Sequence, residues 1–298
     1  MVGRSAILRL MWLNFLSVSV SVSVDERRRK LRALLAGTRS VPMATIMDPV
    51  SARLAESLAF EAGLMGGSVA ALAVLGAPDV MLLTLSELAE QVRRCARVSN
   101  VPIVVDGDHG YGNALNVMRT AQEIAAAGAA GLMIEDTELP ARHGAWGDLR
   151  LLPVEESIDK IKAAVAARGD SDMLLFARTS MTATSGLDEI IERLKAYEAL
   201  GVDALFVPGL RERDQLERVA RAVSLPLGIG GASDGLIRAR VPREAGRARV
   251  FQRTPDLRCR GAGNARRHEG IARRRAGLFT PRHSAEIPDG HRHRRPRN

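Results

Sequence analysis

Val101-Pro-Ile-Val-Val-Asp-Gly-Asp-His-Gly-Tyr-Gly112 carries the reading of the fold. Its first part, Val101–Val105, is a short β-branched run that reads as a buried strand. Pro102 stands just before the strand proper, where no ladder hydrogen bond is yet required. Asp106 and Asp108 sit where the strand ends, and residues two apart in a strand share a face. Three glycines and a histidine accompany them, which is turn chemistry. Paired acids at the carboxyl end of a strand are where an α/β enzyme holds a hard divalent cation. A strand-to-helix turn with an Asp cap fits the same residues, and this segment alone does not choose between the two.

Outward from this segment the chain alternates strand and helix. Further strand-like runs are Met43–Met47, Gly63–Val69, Gly131–Ile134, Met173–Ala177, Ala204–Val207 and Leu225–Ile229. Helix-like runs are Ser51–Glu61, Leu85–Val98, Ala114–Ala126, Val154–Ala167, Leu187–Leu200 and Glu212–Val223, after a lead-in helix over Asp25–Leu35. Ile190, Leu194 and Tyr197 show the helical spacing of apolar residues. Gly128, Gly169 and Gly201 follow helices as left-handed caps. Regular alternation predicts a parallel sheet. The expected fold is α/β: a (β/α)8 TIM barrel, incomplete at its eighth unit.

The polar residues fall at the ends of successive strands. Asp48 follows the first, Gly66-Gly-Ser68 ends the second, Asp106 and Asp108 follow the third, Glu135-Asp136 the fourth and Arg178 the fifth. Barrel enzymes keep their chemistry on that face. The set points to a metal-dependent enzyme acting on an anionic substrate.

Composition narrows the partners. Across 298 residues the formal charge is +9, which ordinarily suggests nucleic acid or an acidic membrane. From Gly235 onward, however, there are 18 Arg, no Lys and five acidic residues, a balance of +13, so residues 1–234 carry −4. The main body thus implies no polyanionic partner. Its core is aliphatic, since only 3% of residues are aromatic. Two cysteines, Cys95 and Cys259, offer no disulfide framework and fit a reducing, cytoplasmic setting. No apolar run is long and clean enough to span a membrane. Residues 1–25 read as an unstructured extension, consistent with a start codon placed too far upstream, residues 26–234 as the barrel, and residues 235–298 as an aberrant Arg-rich tail.

Asp48-Pro-Val-Ser-Ala-Arg53, Gly66-Gly-Ser-Val69, Asp106-Gly-Asp-His-Gly-Tyr-Gly-Asn113, Ile134-Glu-Asp136 and Ala177-Arg-Thr179 resemble the isocitrate lyase and phosphoenolpyruvate mutase superfamily. The likeness runs from Glu26 to Asp234 and is nearest the oxaloacetate decarboxylase branch. The resemblance implies a Mg2+ site, with Mn2+ as the alternative ion, and a small α-keto acid substrate. It also implies a homotetramer that exchanges its last helix. By the same resemblance Asp106 is the direct metal ligand, and Asp48, Asp79, Asp108 and Glu135 are outer-shell acids. Gly67 and Ser68 bind the substrate carboxylate, and Arg178 is its second anchor. The implied reaction is decarboxylation of oxaloacetate to pyruvate and CO2 through a metal-stabilised enolate. Another carbon–carbon lyase or phosphonomutase, or a catalytically dead barrel, is the alternative.

Two departures from the family pattern matter. The lyases carry a catalytic cysteine after the fourth strand, and here that loop is Leu139-Pro-Ala-Arg-His-Gly144. His143 reads as a solvated loop residue, His109 as a turn residue, and Glu138 and Asp148 as surface charges. The decarboxylase branch also has an Asn-Gly-His segment at the eighth strand, absent in frame here, and the exchanged helix is lost with it. Read one base later, permitted codons for Val241 to Ala272 can spell a strand, that segment and an amphipathic helix. A frameshift between about Ser233 and Pro242 therefore accounts for the tail. The competing view is a basic arm for nucleic acid, but Phe251 and Phe279 are too far apart to form a stacking platform.

Overall fold

The structure is a computed structural model that describes residues 22–37, 39–140, 149–181, 186–230 and 250–253. Eight parallel strands close into one barrel in chain order. They are β1 Val41–Thr45, β2 Ala62–Met65, β3 Ile103–Asp106, β4 Gly131–Glu135, β5 Leu174–Arg178, β6 Ala204–Pro208, β7 Leu227–Gly230 and β8 Val250–Arg253. The described helices are α1 Val24–Ala36, α2 Pro49–Ser57, α3 Gly67–Leu75, α4 Leu85–Ala96, α5 Ala114–Ala126, α6 Val154–Arg168, α7 Leu187–Glu198 and α8 Arg213–Ala222. None of them is long and apolar enough to cross a membrane.

Local sequence explains the starts. Asp48 caps α2 ahead of Pro49, Thr84 and Glu87 form a capping box on α4, and Asn113 caps α5. Gly128, Gly169 and Gly201 all take positive φ, but Gly169, with ψ −136°, is not the left-handed helical cap expected of it. The run read as a strand over Gly63–Val69 is divided. Its strand stops at Met65, Gly66 is the extended N-cap, and α3 begins at Gly67. The Ala-rich stretch after Ser68 has high helix propensity, which outweighs the short apolar pattern.

Strand alternation sorts side chains between two cores. Val104, Met133, Leu174, Phe176, Ala204 and Phe206 fill the interior, and Leu31 and Leu35 of α1 join that cluster. Their neighbours Val105, Leu132, Leu175, Ala177, Leu205 and Val207 belong to the layer shared with the helices. The two interior phenyl rings need glycine opposite them. A Cβ on Gly131 would meet Phe176 at 2.9 Å, and one on Gly228 would overlap Phe206.

The expected gap at the eighth unit is filled in part. Val250–Arg253 pairs with β7 on one side and β1 on the other, inside the stretch read as tail. Strand pairing uses backbone groups, and the unpaired edges of β1 and β7 require partners whatever the tail's side-chain pattern. No helix following β8 is among the described residues, and residues 256–298, set apart as a second unit, lie outside them.

Candidate active site

The period-two alternation that packs the interior also aims the acids. Asp106 lies two residues beyond Val104, Glu135 two beyond Met133, and Arg178 two beyond Phe176, so all three side chains point inward at the upper rim. Register sets Glu135 beside Arg178. Arg178 Nη1 donates to Asp106 Oδ2 at 2.5 Å, and its Nη2 lies 2.9 Å from Glu135 Oε2. One guanidinium thus spans two carboxylates from two strands, a forked geometry that lysine would not match.

Asp108 sits just past β3 with φ 47°, a left-handed backbone uncommon outside glycine. Its amide donates to Asp106 Oδ1 at 3.3 Å, and its carbonyl accepts the Glu135 amide at 2.8 Å. The Asp108 carboxylate lies against Gly67 at the start of α3, where a Cβ would meet Oδ1 at 2.5 Å. This closeness is why glycine is needed there. Gly67→Ala is expected to push Asp108 aside and lower divalent-cation affinity by about 10–100-fold. A calorimetric titration of the variant checks this, and unchanged affinity would remove Asp108 from the site.

The charges do not balance. Asp106, Asp108 and Glu135 are all buried. Burial, then Asp106, Glu135 and Asp79, push the Asp108 carboxyl well above the ordinary range. Burial lifts Glu135 to about 7 despite Arg178 beside it. Burial opposes the charge on Arg178, but Asp106, Glu135, Asp108 and Asp79 outweigh it and hold the guanidinium charged. Hard oxygen donors in excess of positive charge fit a hard divalent cation. Among the described residues, no three His, Cys, Asp or Glu side chains form a ready cage. An ion here would take fewer than three of these side chains directly, with water completing its shell.

The remaining expected residues are placed less centrally. Asp48 lies at the end of β1, where its Oδ1 accepts the Ser51 amide at 2.7 Å as the α2 cap. Asp79 is exposed but near enough for its charge to act on Asp108, Tyr111 and Arg178. Ser68 is half-buried in the first turn of α3. His109 is buried 5.9 Å from the Tyr111 ring, and burial lowers its pKa to about 4, so it is neutral at ordinary pH. Glu138 is half-buried, its amide donating to the Arg150 carbonyl at 2.7 Å. His143 and Asp148 lie outside the described residues.

Sequence reading missed four side chains around these acids. Tyr111 has a buried hydroxyl with no hydrogen-bond partner. Lys160, Arg193 and Tyr197 are buried on α6 and α7, and the charges of Lys160 and Arg193 act on Asp136. A buried charge inside an otherwise amphipathic helix was the available signal.

A family model described as phosphoenolpyruvate phosphomutase matches residues 31–252. The chain belongs to that family. Among relatives in the phosphoenolpyruvate phosphomutase family is an oxaloacetate decarboxylase of Paraburkholderia xenovorans (strain LB400), 57% identical over 210 residues, covering 70% of each chain. An oxaloacetate decarboxylase of Rhodopseudomonas palustris (strain BisB18) is 54% identical over 208 residues, covering 70% of this chain and 72% of the relative. A solved 2,3-dimethylmalate lyase superposes with TM-score 0.68 at 26% identity, over 88% of this chain and 92% of its own. An oxaloacetate acetylhydrolase solved with 3,3-difluorooxalacetate gives 0.68 at 27%, over 86% and 90%. The family is one of lyases and mutases, and this chain has its barrel.

Proposed function

We propose that the chain is built to decarboxylate oxaloacetate to pyruvate and CO2 with a bound Mg2+, for which Mn2+ can substitute. The observation that carries the reading is the uneven charge at the rim. Three buried carboxylates converge, and one arginine is shared between two of them. The relatives named oxaloacetate decarboxylase, at 57% and 54% identity, supply the substrate class.

In this reading Asp106 would hold the ion, supported by Asp108 and Glu135, with Asp48 and Asp79 further out. When bound, such an ion would supply Lewis-acid polarisation of the substrate. The Gly67 and Ser68 amides, at a helix N-terminus with only glycine as its cap, receive one substrate carboxylate. Arg178 has charge and planar donors to stabilise oxygen as it becomes negative. Both cysteines of the chain lie outside Leu139–Gly144, so that loop offers no thiol for isocitrate-type cleavage.

The eighth unit decides how much of this activity survives. In our reading the tail past Ser233 is frameshifted, and the exchanged helix of a homotetramer is lost with it. The test is pyruvate release from oxaloacetate with Mg2+, on this chain and on a version with the frame restored. Restored protein should be active and lose activity to chelator, while this chain should show little. Absence of chelator-sensitive release from both would overturn the proposal.

A further inference from the structure

Glu135, the last residue of β4, and Asp136, the residue after it, are adjacent acids that face opposite ways. Glu135 points into the barrel beside Arg178. Asp136, only 2% exposed, points outward beneath α7. There its Oδ2 accepts the Tyr197 hydroxyl at 2.7 Å and Arg193 Nη1 at 3.3 Å. Arg193 is held in turn by Glu189, at 3.1 Å. From α6, the Lys160 charge reaches both Glu135 and Asp136. Thr179 approaches the same carboxylate without meeting strict hydrogen-bond geometry.

The Asp136 backbone is tied as firmly. Its amide donates to the Arg178 carbonyl at 3.3 Å, and its carbonyl accepts the Leu152 amide at 2.8 Å. One residue thus joins the end of β4, the end of β5, the segment leading into α6, and α7. Burying a charged group in this way adds little net stability, since apolar residues of similar volume do as well or better. The bonds do fix geometry, because Asp136 adjoins Glu135 and its amide is bonded to Arg178 itself.

We infer that Asp136, held by Tyr197 and Arg193, is a positioning residue that sets the spacing between the Glu135 carboxylate and the Arg178 guanidinium. Its kinetic consequence rests on the decarboxylase reading, whereas its geometric consequence does not. The test uses Tyr197→Phe and Asp136→Asn in the full chain, with Leu216→Ala on α8 as a destabilised control. For both test variants, Mn2+ affinity in this chain, and kcat for pyruvate release in the frame-restored version, should fall about 10–100-fold, with KM nearly unchanged. Leu216→Ala should lower the melting temperature and leave both values alone. A crystal structure of Tyr197→Phe should show the Glu135–Arg178 pair displaced by about 0.5 Å or more. An unmoved pair, or losses no greater than those of Leu216→Ala, overturns the inference. If the frame-restored wild type releases no pyruvate, the decarboxylase reading alone fails, and the spacing of the pair still decides.

Discussion

In the frame-restored protein, Asp106→Asn is expected to reduce pyruvate release from oxaloacetate by roughly 10³-fold or more, because a Lewis-acid ion contributes several kcal/mol and each ~1.4 kcal/mol is tenfold. The substitution keeps the shape and an acceptor for the Asp108 amide, but it removes the charge and turns an NH2 donor toward Arg178. Arg178 keeps Glu135 as a partner, so no cation is stranded. Crowding among the remaining acids also eases, since Asp106 is one of the charges acting on both Asp108 and Glu135. Relief of this crowding opposes the lost Arg178 bond, so the melting temperature of the metal-free protein should change little. Activity within tenfold of wild type would show that Asp106 does not hold the ion.

Removing Arg178 should have the largest effect on stability. Arg178→Met leaves Asp106 and Glu135 buried without their shared cation, and breaking such a pair costs about 3–5 kcal/mol. For a domain of this size that corresponds to a fall of roughly 6–20 °C in melting temperature. Arg178→Lys should recover part of the stability, because a charge remains between the acids. It should not recover activity, because a single ammonium cannot fork between Asp106 and Glu135 as the guanidinium does. Thermal melts of the two variants, with pyruvate assays in the frame-restored background, separate these effects. Wild-type activity in Arg178→Lys would refute the role given to the guanidinium.

Most of the barrel was legible because its signals are local. Val101–Val105 is β-branched, Asn113 caps α5, and the predicted helix over Ala114–Ala126 has the observed bounds. The eighth strand was not legible. Val250–Arg253 pairs because the ring offers two open edges, a tertiary cause with no trace in its composition. The rim acids were visible because each directly ends or follows a strand. Period two could also have separated Glu135, facing inward, from Asp136, facing outward. What it could not supply was the partners of Asp136, since Tyr197 lies 61 residues away. Asp48 shows the opposite limit. Its position at a strand end suits the site, yet one of its oxygens is engaged as a helix cap, a role any Asp before Pro could fill.

Direct measurement of ion binding tests the central claim. Asp106, Asp108 and Glu135 all precede Ser233, so this chain can be titrated with Mn2+ as it stands, following loss of the free-ion signal by electron paramagnetic resonance. The account predicts one ion bound per chain, displaced by Mg2+ and abolished in Asp106→Asn. Equal binding by wild type and Asp106→Asn, or none by either, would contradict it.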